Sequence, residues 1–390
     1  MSKRPLVLHI APTPFFADRG CHIRIEGISN SLDSLGYDSL ICTYHHGRDI
    51  QGINTSRITP IKNYTKTEAG PSRYKLWADW KLLCLTLKEI KHHKPAVIHA
   101  HLHEGLLIGL LAKIIFFTRQ IPLVADMQGS LVGELEAHGS FKKFAILKWP
   151  VLLIEKVLLR FSKTIVCSSE HSINKFTNEL NIRPDRISLV QDGANTVKKL
   201  SSEELTELKQ AYSLPDNKTI VVYSGALLDS KGLNELKQLI ELSKSITNLH
   251  FLIIGYPTEN LESYLSENDL ANNCSLTGQI PFERLPQLLQ LADIAVDPKF
   301  SDSGEGSGKI LNYLACGLPI LAFNTRNNQD FLPHGSHLAD SATQMAEQLS
   351  DLLKNPQRIS EIGELNLQHF LKFYSWQTST KQLSSVYKNF

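Results

Sequence analysis

Apolar, β-rich runs recur along the whole chain with a helix-length stretch between each pair, and this rhythm restricts the fold more than any single motif. In the first half the runs are PLVLHIA, YDSLICTY, PAVIHAH, PLVADMQ, KTIVCSS and SLVQDG. Helices are expected between them, around Gly20–Leu35, Tyr74–His92, Gly105–Phe117, Phe141–Phe161 and Ser172–Leu180. Strands that are apolar at nearly every position, rather than at every second one, are buried on both faces. They call for a parallel sheet with helices above and below. Residues 195–218 turn polar and charged and read as a linker with a short helix. A second set then follows, TIVVYSG, HFLIIGY, CSLTGQ, DIAVDP and PILAF, again alternating with helices, and the tail from Ala342 to Tyr387 is helical. The expected fold class is α/β, two doubly wound domains, with ligands beyond the carboxyl ends of the strands in a cleft the domains share. The boundaries expected are 1–195, 196–374 and a final helix over 375–390.

Charge adds a constraint on partners. The net charge of +2 gives no reason to expect nucleic acid. Its distribution is uneven: Met1–Leu200 holds 27 Lys+Arg against 17 Asp+Glu, a balance of +10, and the remainder holds 14 against 22, a balance of −8. A basic half of this kind suits an anionic ligand or membrane surface. Six scattered cysteines without a C-x-x-C pair suit a reduced, cytoplasmic protein with neither structural zinc nor a disulfide frame. The first apolar run is too short for a signal peptide, and no window is apolar enough to span a bilayer.

Several stretches carry candidate chemistry. In DSGEGSGKILNYLACGLPILAF, the glycines Gly304, Gly306 and Gly308 with Ser307 feed a helix N-terminus, an arrangement that suits phosphate. Lys309 adds positive charge there and Glu305 an acceptor for sugar hydroxyls. Ile310 stands where a P-loop needs Ser or Thr, so this is not that motif; a plain Gly/Ser turn fits the same residues. Asp18-Arg19-Gly20 precedes the first helix, where a glycine lets the loop approach a ligand, or simply turns. His99, His101 and His103 alternate in HAHLHEG beside Glu104. With no carboxylate or Cys at ligand spacing, a metal is not expected, and His101 or His103 could instead bond a sugar. Gln128 and Ser130 follow another strand directly. Lys231, after Gly225 and before Gly232, can reach a pyrophosphate as a point charge, or be merely solvated. The segment Phe141–Arg160 is basic, carries Trp149, and fits either packing on the sheet or contact with an anionic membrane surface.

Taken together, DRG, VIHAHLHEG, DMQGSLVGE, VCSSEHS, VQDGANT, GALLDSKGL and the Gly-rich stretch resemble glycosyltransferase family 4 over nearly the whole chain. That resemblance implies the GT-B fold: two Rossmann-like domains facing a central cleft, with a C-terminal helix crossing back to the N-terminal domain. It also implies a retaining transfer from a nucleotide-diphosphate sugar, UDP- or GDP-linked, with no bound metal and no cofactor. Donor binding would fall to Gly20, Gly225, Lys231, Gly304, Glu305, Gly306, Ser307, Gly308, Lys309 and Asn312, with His101 or His103, Lys231 and Glu305 nearest the chemistry. Asp18, Arg19, His22, Glu104, Gln128 and Ser130 would lie on the acceptor side. Two positions depart from the family's pattern. Ala226 stands where an Arg is usual, and Asn312 stands where the second Glu is usual; Lys309 could supply the charge that Ala226 lacks. The expected activity is hexosyl transfer to a glycan or lipid-linked acceptor, such as a cell-envelope polysaccharide precursor, by a cytoplasmic enzyme peripheral to the inner face of a membrane. A sugar-nucleotide epimerase of the same fold, or an inert nucleotide-sugar-binding partner subunit, are the alternatives.

Overall fold

The computed structural model describes residues 4–67, 72–132, 135, 148–300, 308–388 and 390. Two compact units divide it: one comprises Met1–Gly193 with Trp376–Phe390, the other lies between Ala194 and Ser375.

The first unit is built on a seven-stranded sheet of order β3-β2-β1-β4-β5-β6-β7, every described pairing parallel. The strands are β1 (Leu6–Ala11), β2 (Asp38–Thr43), β3 (Thr55–Arg57), β4 (Val97–His101), β5 (Leu123–Met127), β6 (Thr164–Cys167) and β7 (Ile187–Leu189). Helices α1 (Gly20–Ser34), α2 (Lys75–His93), α3 (Leu102–Ile115), α4 (Lys148–Phe161) and α5 (Glu170–Asn178) connect them. Side chains alternate across a strand, so the central strands present two different faces. Leu8, Ile10, Ile98, Ala100, Leu123 and Ala125 point to one face and form an apolar core with α2, α3 and α4. The other face carries His9, His99, His101 and Asp126, which the register sets in one row: His9 pairs with His99, and His101 with Asp126.

The second unit holds a six-stranded parallel sheet of order β10-β9-β8-β11-β12-β13. Its strands are β8 (Thr219–Ser224), β9 (Leu249–Ile254), β10 (Cys274–Leu276), β11 (Ile294–Asp297), β12 (Ile320–Phe323) and β13 (His337–Ala339). Its helices are α6 (Ser202–Ala211), α7 (Leu233–Leu242), α8 (Glu259–Glu267), α9 (Leu285–Leu289), α10 (Gly308–Ala315), α11 (Arg326–Phe331), α12 (Ala342–Leu353) and α13 (Pro356–Phe373). Each sheet therefore reverses its strand order once, between β1 and β4 in one unit and between β8 and β11 in the other. Such switch points open a crevice at the carboxyl ends of the two central strands.

The last helix, α14 (Trp376–Tyr387), belongs to the first unit. It lies against α1, and Leu383, Val386 and Tyr387 join Val7, Ile28 and Leu32 in an apolar cluster. The ring of Trp376 covers Gly27, where even a methyl group would meet it at 1.9 Å. Two short strands, β3 and β13, were not anticipated; each has three residues, sits at a sheet edge and lacks an apolar run.

Candidate active site

At the switch point of the second unit, Tyr223 near the end of β8 organises its surroundings. Its hydroxyl donates to the carbonyls of Ala226 (3.0 Å) and Lys231 (3.3 Å), folding the loop after β8 back over the strand end. Gly225 has φ +140°, and its carbonyl oxygen would lie 1.9 Å from any Cβ placed on Gly255, so two glycines allow β8 and β9 to end side by side. Gly232 has φ +89° and lies so close to the Pro298 carbonyl that a Cβ would stand 2.3 Å from its oxygen. This contact sets Lys231 beside the chain leaving β11. Lys309, in the first turn of α10, places its ammonium 3.0 Å from Asp297 at the end of β11 and 4.5 Å from the centre of the Tyr223 ring. Burial alone would lower the Lys309 pKa; the Asp297 carboxylate and the two tyrosines nearby reverse that and hold it above its ordinary value. Tyr313, one turn further along α10, accepts from the Ser224 backbone N–H at 2.7 Å and locks the helix to β8.

At the switch point of the first unit, the buried row of polar groups is bound together on one side of the sheet. His101 Nδ1 lies 2.8 Å from Asp126 and its Nε2 3.0 Å from His9, whose other nitrogen meets Ser39 at 3.2 Å. A carboxylate only accepts, so His101 Nδ1 donates to Asp126, and His9 links His101 to Ser39 at the other end of the row. Arg24 on α1 grips Asp126 through Nε and Nη2, the shortest contact being 2.6 Å, and reaches the Val190 carbonyl and Asp192 with Nη1. Burial would raise the Asp126 pKa, but Arg24 and His101 hold it far below the carboxylate range. His99 donates to or accepts from the Tyr387 hydroxyl at 2.7 Å, which ties α14 to the row. Burial and then His101 depress the His99 pKa to about 3.

A second group lies where α3 leaves β4. Leu102, between two histidines, has φ +61°, a conformation that branched-chain side chains rarely adopt. It turns His103 away from the row to donate to Glu155 of α4 at 3.1 Å. Ser130 (3.2 Å) and the Leu131 N–H (2.8 Å) donate to the same carboxylate. Although burial opposes it, these bonds lower the Glu155 pKa. Glu104 pairs with Lys75 at the start of α2.

Comparison with known proteins agrees with this architecture. Residues 19–198 match the glycosyltransferase family 4 domain and residues 205–388 the glycosyl transferases group 1 domain. The chain belongs to the family 4 glycosyltransferases. Among curated relatives, an uncharacterized glycosyltransferase of Methanocaldococcus jannaschii is 24% identical over 60% of each chain. The alpha-D-kanosaminyltransferase of Streptomyces kanamyceticus is 20% identical over 80% of this chain and 82% of its own. A Bacillus subtilis glycosyltransferase named for teichuronic acid biosynthesis is 24% identical over 69% of this chain and 65% of its own. Among solved structures, a sucrose-phosphate synthase of Thermosynechococcus elongatus superposes with a TM-score of 0.79, at 16% identity, over 99% of both chains. The Anabaena protein HepE, solved with UDP and glucose, gives 0.76 at 16% identity over 98% of this chain and 99% of its own. The two parallel sheets are thus those of the GT-B fold.

The glycosyltransferase distributes the expected site residues unevenly. Gly225, Lys231 and Lys309 gather around Tyr223. Gly308 opens α10, and Asn312 turns its amide back to the Gly308 carbonyl at 2.8 Å. Gly304, Glu305, Gly306 and Ser307 lie outside the described residues, as do Phe141–Leu147 of the basic segment. Gly20 begins α1 with nothing within 4 Å of where its Cβ would be. No side chain caps α1 and no acid occupies its first turn. Asp18 pairs with Arg48 at 2.6 Å, and Arg19 donates to the Thr67 carbonyl at 3.2 Å. Gln128 has a buried amide nitrogen without a hydrogen-bond partner among the described residues.

Three expectations need correction. His101 is fully buried with both ring nitrogens engaged inside the protein, so of the two histidines His103 is the one turned out of the row. His22 is likewise buried: its Nδ1 accepts from the Ala17 N–H and its Nε2 donates to Thr13, so it shapes the loop after β1 and does not face an acceptor. The histidines also do have a carboxylate at ligand spacing, since His99, His101 and Asp126 bring donor atoms within 4.8 Å of one another. The guanidinium of Arg24 occupies the carboxylate such an ion would need, so this donor set does not fit a cation. Sequence reasoning missed Arg24, Tyr223 and Glu155. Of these only Arg24 left a signal, as a charge one helical turn after Gly20 in an otherwise inward-facing stretch.

Proposed function

We propose that the chain moves a hexosyl group from a nucleoside diphosphate sugar, UDP- or GDP-linked, to an acceptor hydroxyl, with retention at the anomeric carbon and without a bound metal ion or cofactor. The observation that carries this reading is that Tyr223, at the switch point of the second unit, holds the Lys309 ammonium over its ring and bonds the backbone carbonyl of Lys231 with its hydroxyl. Breaking the bond from the anomeric carbon to the diphosphate leaves negative charge on the departing oxygens. An ammonium group already held in place, as Lys309 is, stabilises that charge without reorganising. Lys309 is aimed by Asp297 and the Tyr223 ring; Lys231 has no ion-pair partner among the described residues and is the freer of the two charges. The acceptor oxygen then bonds the anomeric carbon from the face the diphosphate leaves, and its proton passes to a diphosphate oxygen. In the first unit, His103, Glu104, Gln128 and Ser130 at the ends of β4 and β5 form the acceptor side. The acceptor is a polysaccharide precursor, a reading supported by the relative named for teichuronic acid biosynthesis.

The test follows UDP- and GDP-sugars by NMR with a panel of glycan and lipid-linked acceptors, with and without EDTA. An α-linked product from an α-linked donor, formed equally with EDTA, is expected. An inverted product would remove the retaining mechanism, and loss with EDTA the metal independence. Conversion of the donor with no acceptor present would mark an epimerase instead. Lys309→Ala is expected to weaken donor binding far more than Lys299→Ala; equal effects would end the assignment of Lys309.

A further inference from the structure

In an α/β unit, helices turn their apolar side to the sheet and their polar side to water. In α4 the outer stripe is apolar as well, and a carboxylate is turned inward. Its buried positions are Glu155 and Leu159, while Trp149, Leu153, Ile154, Val157 and Phe161 are 44–72% exposed on the outer stripe. The inward carboxylate is consumed by His103, Ser130 and the Leu131 N–H. Helix α3, which lies between α2 and α4, is apolar on both sides: Leu107, Leu111, Ile114 and Ile115 recur at helical spacing on the outer side and are 37–69% exposed. Helix α2 continues the surface with Leu76, Trp77 and Trp80, 53–83% exposed. Three neighbouring helices thus present one apolar face, with tryptophans on the outer two. Isolated exposed apolar residues are ordinary, but a contiguous face of this size marks a binding surface.

The charges identify what it binds. Across α2, α3, the turn Phe117–Arg119 and α4 the sequence carries nine Lys and Arg against four acids. All four acids are engaged within the protein: Asp79 by Tyr44, Glu89 by Ser56 and His93, Glu104 by Lys75, and Glu155 by His103. The outward charge is therefore positive, with Lys88 and Lys91 on α2 and Lys156 and Arg160 on α4. Apolar side chains to enter the acyl boundary, indoles for the headgroup level and a basic fringe together match an anionic lipid surface. No described helix is long and apolar enough to cross a membrane, so the helices would lie in the interface plane.

We propose that the α2–α3–α4 face of the first unit docks the enzyme on an anionic phospholipid bilayer. This stands on the surface alone and does not depend on the donor assignment. It also has a consequence for the acceptor. Helices α2 and α3 begin at the carboxyl edge of the sheet, where Glu104 pairs with Lys75, and α4 is fastened to His103. The docked face therefore adjoins the residues assigned to the acceptor side, and favours an acceptor carried in the lipid.

The test is flotation of the full-length protein with phosphatidylcholine vesicles, pure or containing about one third phosphatidylglycerol, at low and high salt. The wild type is expected to float with the anionic vesicles at low salt. Each basic residue at such a surface is worth roughly fivefold in binding, so Lys88→Gln/Lys91→Gln/Lys156→Gln is expected to cut the bound-to-free ratio by about a hundredfold. The pairs Trp77→Glu/Trp80→Glu and Leu153→Glu/Val157→Glu are expected to abolish flotation. Leu365→Glu, an exposed apolar residue of the second unit, is expected to leave it intact. Circular dichroism and melting check that each variant is folded, as substitutions at such exposed sites should be. Wild type remaining with the unbound protein at every composition overturns the proposal, as does flotation that survives the face variants. A wild-type dimer in sedimentation that the face variants convert to monomer, without flotation, would assign the surface to a second copy of the chain and also overturn it.

Discussion

Removing Lys309 takes a cation from the donor edge and leaves its partner Asp297, which is 2% exposed, without that counter-charge. Stranding a buried carboxylate costs about 3–5 kcal/mol, so Lys309→Met is expected to lower unfolding stability by that order in urea. Adding Asp297→Asn should restore most of the stability and none of the donor affinity; recovery of both would make Lys309 a structural residue only. The imidazoles lead to a second prediction. Burial and then Arg19 hold His22 at about 3, and burial and then His101 hold His99 at about 3, against about 6.5 in an unfolded chain. Between those values the unfolded state binds more protons than the folded one, so stability is greatest above pH 6.5 and falls as pH drops toward 3. The slope is up to about 1.4 kcal/mol per pH unit for each histidine. Urea midpoints measured at pH 7 and pH 5 check this, and His22→Asn should flatten the dependence. An unchanged slope in that variant would mean His22 does not titrate as described.

At the scale of elements, two glycines of α1 should respond in opposite ways. Gly27→Ala drives a methyl group into the Trp376 ring, an overpacking worth about 1–3 kcal/mol, and should loosen α14 while leaving substrate affinity nearly intact. Gly20→Ala meets nothing, and Ala is the better helix former by up to about 1 kcal/mol. Its stability should hold or rise while substrate affinity falls; thermal melts and calorimetric titration of both variants separate the two roles. The same elements show what was legible beforehand. Long apolar strands and helices announced themselves through periodicity, and β1, β4, β8 and β11 lie where their runs stand in the chain. The edge strands β3 and β13 were hidden because three residues paired on one side need no apolar run. The helix expected around Gly105–Phe117 begins earlier, at Leu102, because Leu102 in a left-handed conformation turns the chain out of β4. That shift puts His103 and Glu104 on the helix and leaves His101 in the sheet. The Asp126–Arg24 and Asp297–Lys309 pairs join residues 102 and 12 positions apart, and only strand register and helix placement bring them together. The basic segment after residue 141 read ambiguously because period alone cannot tell which stripe of a helix faces inward; the burial of Glu155 decides it.

For the whole molecule, the division of the chain makes a prediction of its own. The first unit is completed by α14, whose Leu383, Val386 and Tyr387 fill its apolar cluster and whose Tyr387 bonds His99, whereas the second unit draws on residues between Ala194 and Ser375 alone. A fragment of residues 194–375 is therefore expected to fold by itself and melt cooperatively. A fragment of residues 1–193 should be protease-sensitive until a peptide of residues 376–390 is supplied. Protection of 1–193 without the peptide would show that α14 is dispensable to the sheet it covers.

This dependence bears on how the protein is made. Ribosomes release the amino end first, so the seven strands of the opening sheet emerge while the helix that seals them is still untranslated. The second unit, with all its parts already out, can settle before the first. Throughout that interval the tryptophan-bearing surface hangs on an unfinished body, where premature sticking to neighbours or to a nearby bilayer is a hazard. Residues 376–390 thus complete the first unit late in synthesis, and nonsense mutations just before them, though they spare the ligand-facing residues, should still deplete the protein from cells.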